Sequence, residues 1–164
     1  MNLPSSLVLL GAALALGCGA PSSGPGLAFE LFVDRALVDE LGAFQVVVLP
    51  NGRARNCAEL QSTCLNQQVK ADEPLLLSDR AGGKQARAVR FPAGLASGAQ
   101  KVEIDLPVGR NYVVVIEALS KATPPRFLGS SCNYLDSVSA TNNDPLITAP
   151  ITLAATACDP TFAP

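Results

Sequence analysis

The chain contains no histidine and no tryptophan, only one methionine and two tyrosines. Without histidine the commonest general base and metal ligand is missing, which removes the Ser-His-Asp triad, the Cys-His pair and histidine-ligated zinc from consideration. Without tryptophan a frequent sugar-stacking and hot-spot residue is missing too. Neither sign of charge dominates: 12 Lys and Arg stand against 14 Asp and Glu, a formal net charge of −2. That balance offers no basic surplus for a phosphate backbone, and a nucleic-acid partner is not expected. No serine sits in a Gly-x-Ser-x-Gly setting and no Cys-x-x-Cys occurs, so the nucleophile elbow and the dithiol redox motif are absent. A sustained 3.6-residue hydrophobic period is also missing, which argues against a helical body.

What is present begins with an apolar run, Leu7 to Cys18, reading Leu-Val-Leu-Leu-Gly-Ala-Ala-Leu-Ala-Leu-Gly-Cys. It is too short to span a bilayer and has the length of a secretory h-region. Gly17 just before Cys18, with Ala15 three positions ahead of the cysteine, resembles the lipobox of bacterial lipoproteins. The resemblance implies a diacylglyceryl group on the Cys18 thiol, cleavage before Cys18 and acylation of the new amino terminus. It also implies sorting to the outer membrane, on the periplasmic face or the cell surface, because Gly19 stands where Asp would signal inner-membrane retention. The alternative is an ordinary secretory signal cut near Ala20, leaving a secreted protein. The expected division is a signal peptide over residues 1–17, the lipidated cysteine and a flexible Gly/Pro/Ser tether over 18–26, and one domain over 27–164.

Five cysteines are an odd set for an exported chain. Assigning Cys18 to lipid leaves Cys57, Cys64, Cys132 and Cys158, an even four with three possible pairings. Closeness in sequence favours Cys57 with Cys64 and Cys132 with Cys158. The first of these pairings needs a looped segment, since a regular helix would hold the two residues roughly 10 Å apart along its axis. Six residues between Cys57 and Cys64 do not match a zinc knuckle, and no metal or other cofactor is expected.

Strands are expected over 27–33, 43–49, 73–78, 85–91, 101–106, 112–119, 126–131 and 146–157, with a turn over 34–40. Val113 to Ile116 is unbroken and should be covered on both faces. The strands 101–106 and 112–119, flanking Pro107-Val108-Gly109-Arg110, are expected to form a hairpin, as are the two flanking Asp79 to Lys84. The fold class is therefore all-β: a single antiparallel β-sandwich of about 7–8 strands, Ig-like or transthyretin-like, with a Cys132–Cys158 tie pinning its edge.

The phrase from Val102 to Leu119, an acidic-flanked strand leading into Leu-Pro-Val-Gly-Arg-Asn-Tyr and a valine run, resembles transthyretin-like and carboxypeptidase-regulatory-like sandwich modules. With Gly129-Ser-Ser-Cys132 and the terminal cysteine, the chain is also similar to single-domain lipoproteins of myxobacterial-type, GC-rich genomes. Such modules are generally non-enzymatic, which the resemblance implies and the residues alone do not.

Several groups could carry chemistry. Arg80, Lys84, Arg87 and Arg90 lie within eleven residues and could contact an anionic surface, although a charged hairpin edge protected from aggregation explains them as well. Asn142, Asn143 and Asp144 supply calcium-type oxygens but lack a distal Glu; an Asx turn before Pro145 is the simpler reading. Asp39 with Glu40, and Glu103 with Asp105, are explained by solvation. The expected function is a membrane-anchored, non-catalytic binding or structural module for a protein or an envelope polymer. The alternative is a small hydrolase whose carboxylates meet only in the fold.

Overall fold

The computed structural model describes residues 25–79, 84–94, 99–140, 146–154 and 157–162. Cys18 and its apolar run, Arg80, and the Asn142–Asp144 cluster lie outside them. The described chain is all-β, with one turn of α-helix and three short 3-10 turns. Ten strands fall into two sheets: β1 (Gly26–Phe32), β2 (Leu41–Pro50), β3 (Leu77–Asp79), β4 (Gln85–Ala86), β5 (Val89–Pro92), β6 (Ala99–Asp105), β7 (Gly109–Ser120), β8 (Phe127–Val138), β9 (Leu146–Pro150) and β10 (Thr152–Leu153). The first sheet has the order β4-β3-β6-β1-β9 and the second β10-β8-β7-β2-β5.

Alternation along each strand decides which side chains meet between the sheets. Leu27, Phe29 and Leu31 of β1 and Val102 and Ile104 of β6 share one apolar cluster with Phe44, Val46 and Val48 of β2 and Val114 and Ile116 of β7. The other faces of β2 and β7 are apolar too, and Val47, Leu49, Val113 and Val115 form a second cluster with Leu60, Leu65 and Val69 from the long β2–β3 connection. Coverage of the Val113–Ile116 run on both faces is thus explained: sheet on one side, a folded loop on the other.

Three strand expectations are corrected. Segments 101–106 and 112–119 do not form a hairpin: β6 pairs with β1 and β3, whereas β7 pairs with β2 and β8. Pro107 cannot donate to a ladder, and the Leu106–Val108 connection carries the chain from one sheet to the other. Gln85 to Phe91 divides between sheets, β4 pairing with β3 and β5 with β2. The segment from Leu146 also divides at Ile151, and β9 runs parallel to β1, so the first sheet is mixed rather than purely antiparallel. Within residues 34–40 the expected turn is a 3-10 turn, Arg35–Leu37, capped by the Asp34 carboxylate accepting from the Ala36 amide at 2.9 Å.

Candidate functional site

The β2–β3 connection folds as a lid over the outer face of the second sheet. It opens with Asn51 in the left-handed region (φ 59°) and the 3-10 turn Gly52–Ala54. The helical turn α1 (Cys57–Leu60) follows, capped by Asn56, whose side chain accepts from the Ala58 amide; a last 3-10 turn spans Leu65–Gln67. Side-chain amides hold it down. Gln61 Nε2 donates to the Ser130 carbonyl at 3.1 Å, Gln68 Nε2 to the Thr63 carbonyl at 3.1 Å, and Asn66 Nδ2 to the carbonyls of Asp159 and Thr161 at 3.0 and 2.7 Å.

Covalent ties complete the fastening, and they overturn the expected pairing. Cys57 is bonded to Cys132 on β8 and Cys64 to Cys158 in the C-terminal segment, with Cα separations of 5.4 and 6.0 Å. Cys57 opens the helical turn and Cys64 caps the last 3-10 turn, so each reaches a different part of the surface beneath the lid. β8 also runs straight through Cys132 to Val138, so Cys132 faces the lid and not the chain end. Both bonds join the same lid to two different parts of the molecule.

Beneath the lid lies a polar row that crosses an otherwise apolar surface. Arg90, Gln45, Glu117, Ser130 and Thr152 are successive cross-strand partners on β5, β2, β7, β8 and β10. Arg90 Nε donates to Gln45 Oε1 at 2.7 Å, and Gln45 Nε2 donates to Glu117 Oε2 at 2.7 Å and to the Pro160 carbonyl at 3.0 Å. Glu117 Oε1 accepts from the Leu65 amide at 2.8 Å. Glu117 is fully buried. Loss of hydration raises its carboxyl above the ordinary glutamate value, and the bonds from Leu65 and Gln45 and the Arg90 charge only partly offset this. The Ser130 hydroxyl is buried without a hydrogen-bond partner among the described residues. A raised, buried glutamate is a common sign of acid catalysis. Here, with Leu65 and Pro160 bonded across the row, it fastens lid, sheet and tail together and presents no face to a substrate. Neither Gln45 nor Glu117 was singled out from the sequence, although a polar residue interrupting each apolar strand is the signal that marks them.

Of the four expected surface cations, the three described residues are placed differently. Lys84 is exposed. Arg87 Nη1 donates to the carbonyls of Asp72 and Pro74 at 2.8 and 2.6 Å, tying the edge of the sheet to the end of the lid, and Arg90 belongs to the polar row. Of the carboxylate pairs, Glu103 and Asp105 lie on the outer face of β6, Glu103 being ion-paired with Lys101 at 2.8 Å. Glu40 stands 3.8 Å from Arg126 Nη2 at the surface.

Concave surface occurs at the lid's other end. A groove of about 450 Å³ is lined by Arg53, Arg110, Asn111, Asp136 and Ser137. A second, of about 350 Å³, has Arg53 in common and runs along Arg55, Asn56 and Glu59. The corner between them is tightly built. Asn111 is left-handed like Asn51 (φ 61°), and its Oδ1 accepts from the Arg53 amide at 2.7 Å. Gly52 lies against the Tyr112 carbonyl, where any Cβ would collide. Arg53 meets Asp136 at 3.1 Å in a highly exposed ion pair, and Arg55 meets Glu73 at 2.7 Å. The Arg55 hydrogen bond, with one from the Lys70 amide, lowers the Glu73 carboxyl below its ordinary value. Each groove contains a single carboxylate. Among the described residues no group of three or more acidic or cysteine side chains is arranged to hold a metal. Comparison with protein-family models, with curated proteins and with solved structures gives no match.

Proposed function

We propose that this chain is an exported lipoprotein whose two-sheet body is a β-sandwich, of the Ig-like or transthyretin-like kind, serving as a non-catalytic binding or structural module at the envelope. Cys18 carries the lipid in this reading. The body faces the periplasm or the cell surface at the outer membrane and contacts a protein or an envelope polymer. The observation that carries it is the pair of disulfides: both are structural, both fasten the same lid, and such bonds persist in oxidising compartments. The two grooves support binding over hydrolysis, because neither brings together the two carboxyls that a glycosidase needs.

Anchor and binding are tested separately. Cys18→Ser should abolish acyl labelling and release the protein from the membrane fraction; unchanged fractionation contradicts the anchor. Added to envelope material freed of lipid by extraction, the Cys18→Ser protein should still co-sediment with it. If it does not, and if it instead turns over a chromogenic glycoside or ester, the binding reading fails.

A further inference from the structure

The corner at Arg53 has features that a passive surface does not need. Two non-glycine residues, Asn51 just after β2 and Asn111 in β7, are held in the left-handed region, a conformation that is unfavourable for a side chain unless its surroundings enforce it. Here they do: the Asn111 side chain receives the Arg53 amide, and Gly52 is wedged on the Tyr112 carbonyl. The backbone of Arg53 is thus fixed while its guanidinium reaches into the solvent.

Arg110 enters the same groove from β7, opposite Ser137 on β8. No hydrogen bond or ion pair engages its guanidinium among the described residues. Among the described residues the Arg53 guanidinium meets only Asp136, through one contact at 3.1 Å between side chains 78 % and 79 % exposed. Exposed pairs of that kind contribute little, because water screens them, so an incoming oxyanion can replace the aspartate with little loss. Arginine's planar fork suits a bidentate oxyanion.

An aromatic face lies alongside. Tyr134 precedes Asp136 by two positions on the same face of β8 and is 53 % exposed. Its hydroxyl donates to the Arg55 carbonyl at 2.8 Å, which fixes the ring at the margin of the second groove, where Arg55 also lies. A ring so anchored, with the exposed Arg53 lining both grooves and Arg110 lining one, combines a stacking surface with oxyanion donors.

We propose that this corner binds an acidic polysaccharide. Arg53 and Arg110 hold successive oxyanion groups, uronate carboxylates or sulfate esters, and Tyr134 packs against a sugar ring. This rests on the binding-module reading and names the polymer class that the module takes.

The test is titration of the full chain carrying Cys18→Ser with polygalacturonate and dextran sulfate, and with neutral dextran and polyphosphate as controls. At least one of the two acidic polysaccharides should bind, more weakly as salt rises, and whichever binds identifies the oxyanion. Neutral dextran should not bind, and polyphosphate should bind at least tenfold more weakly. Arg53→Gln and Arg110→Gln should each lower affinity about tenfold, and both together should abolish it; Tyr134→Leu should weaken saccharide binding without changing the response to polyphosphate. Arg53→Gln keeps the backbone bond to Asn111, so each variant is checked for unchanged thermal unfolding. Polyphosphate binding as tight as the saccharide, or arginine variants that bind like wild type, would overturn the proposal. Failure to bind any acidic polysaccharide would overturn it too, yet the envelope co-sedimentation above would still stand or fall by itself.

Discussion

Glu117 is a carboxyl stranded among valines, and its position sets a pH dependence whose sign follows from burial. Its pKa in the folded chain lies above the ordinary value of 4.5, with loss of hydration as the leading cause. Below about pH 4.5 the group is protonated in both folded and unfolded chains, and its stabilising contribution is complete. As pH rises through the raised folded pKa that contribution is lost, because the unfolded chain ionises more readily. Glu73 and Asp159, both lowered, act in the opposite direction, contributing above their ordinary values and losing that contribution in acid. Glu117→Gln should therefore flatten the fall in urea midpoint as pH rises above 4.5, and an unchanged slope would contradict this assignment. Gly52 makes a second residue-scale case. Gly52→Ala drives a methyl into the Tyr112 carbonyl, and the expected cost is about 1–3 kcal/mol in chemical denaturation. A neutral result would mean that the turn is not held against β7.

The lid, α1 with its flanking turns, is the element on which the molecule depends most, because it covers an apolar face that would otherwise meet water. Its two disulfides span 75 and 94 residues of sequence. Loops of that size close with roughly 4–5 kcal/mol of unfolded-state entropy in the chain model, though measured losses run lower. The double variant Cys57→Ser, Cys132→Ser should lose about 2–5 kcal/mol and bind a hydrophobic dye as Val47, Leu49, Val113 and Val115 become accessible. Retention of wild-type stability would show that the amide contacts suffice. The polar row has a different task. β2 and β7 are apolar on both faces, so alternation does not define their register, and a shift by one residue would bury much the same surface. Gln45 opposite Glu117, flanked by Arg90 and Ser130, permits one alignment. Much of this was readable: the valine runs of β2 and β7 declare two-sided burial, and Pro50-Asn51-Gly52 marks where β2 stops. Which sheet each strand joins was not readable, because the clean alternation of Val102, Ile104 and Leu106 specifies a face and no partner. The disulfide pattern was hidden for a related reason: proximity along the chain says nothing about which way β8 turns Cys132.

At the scale of the whole molecule, two sheets share one core, a lid is bonded twice over the outer face of the second sheet, and a grooved corner carrying Arg53 and Arg110 lies where the lid leaves β2. The corner was the part of the candidate site least legible in advance. Arg53, Arg110 and Tyr134 are far apart in sequence and share one corner only because β2, β7 and β8 are neighbours, whereas Lys84, Arg87 and Arg90, close in sequence, divide among the surface, a clamp and the end of the polar row. Export, anchoring and cross-bonding together make one chemical state, so a single digest reads them. Protein recovered from the envelope, alkylated without reduction and mapped by mass spectrometry, should yield a Cys57–Cys132 peptide, a Cys64–Cys158 peptide and an acylated peptide beginning at Cys18. A Cys57–Cys64 link would contradict the arrangement of the lid, four alkylated thiols would contradict export, and an unmodified peptide running through Cys18 would contradict the anchor.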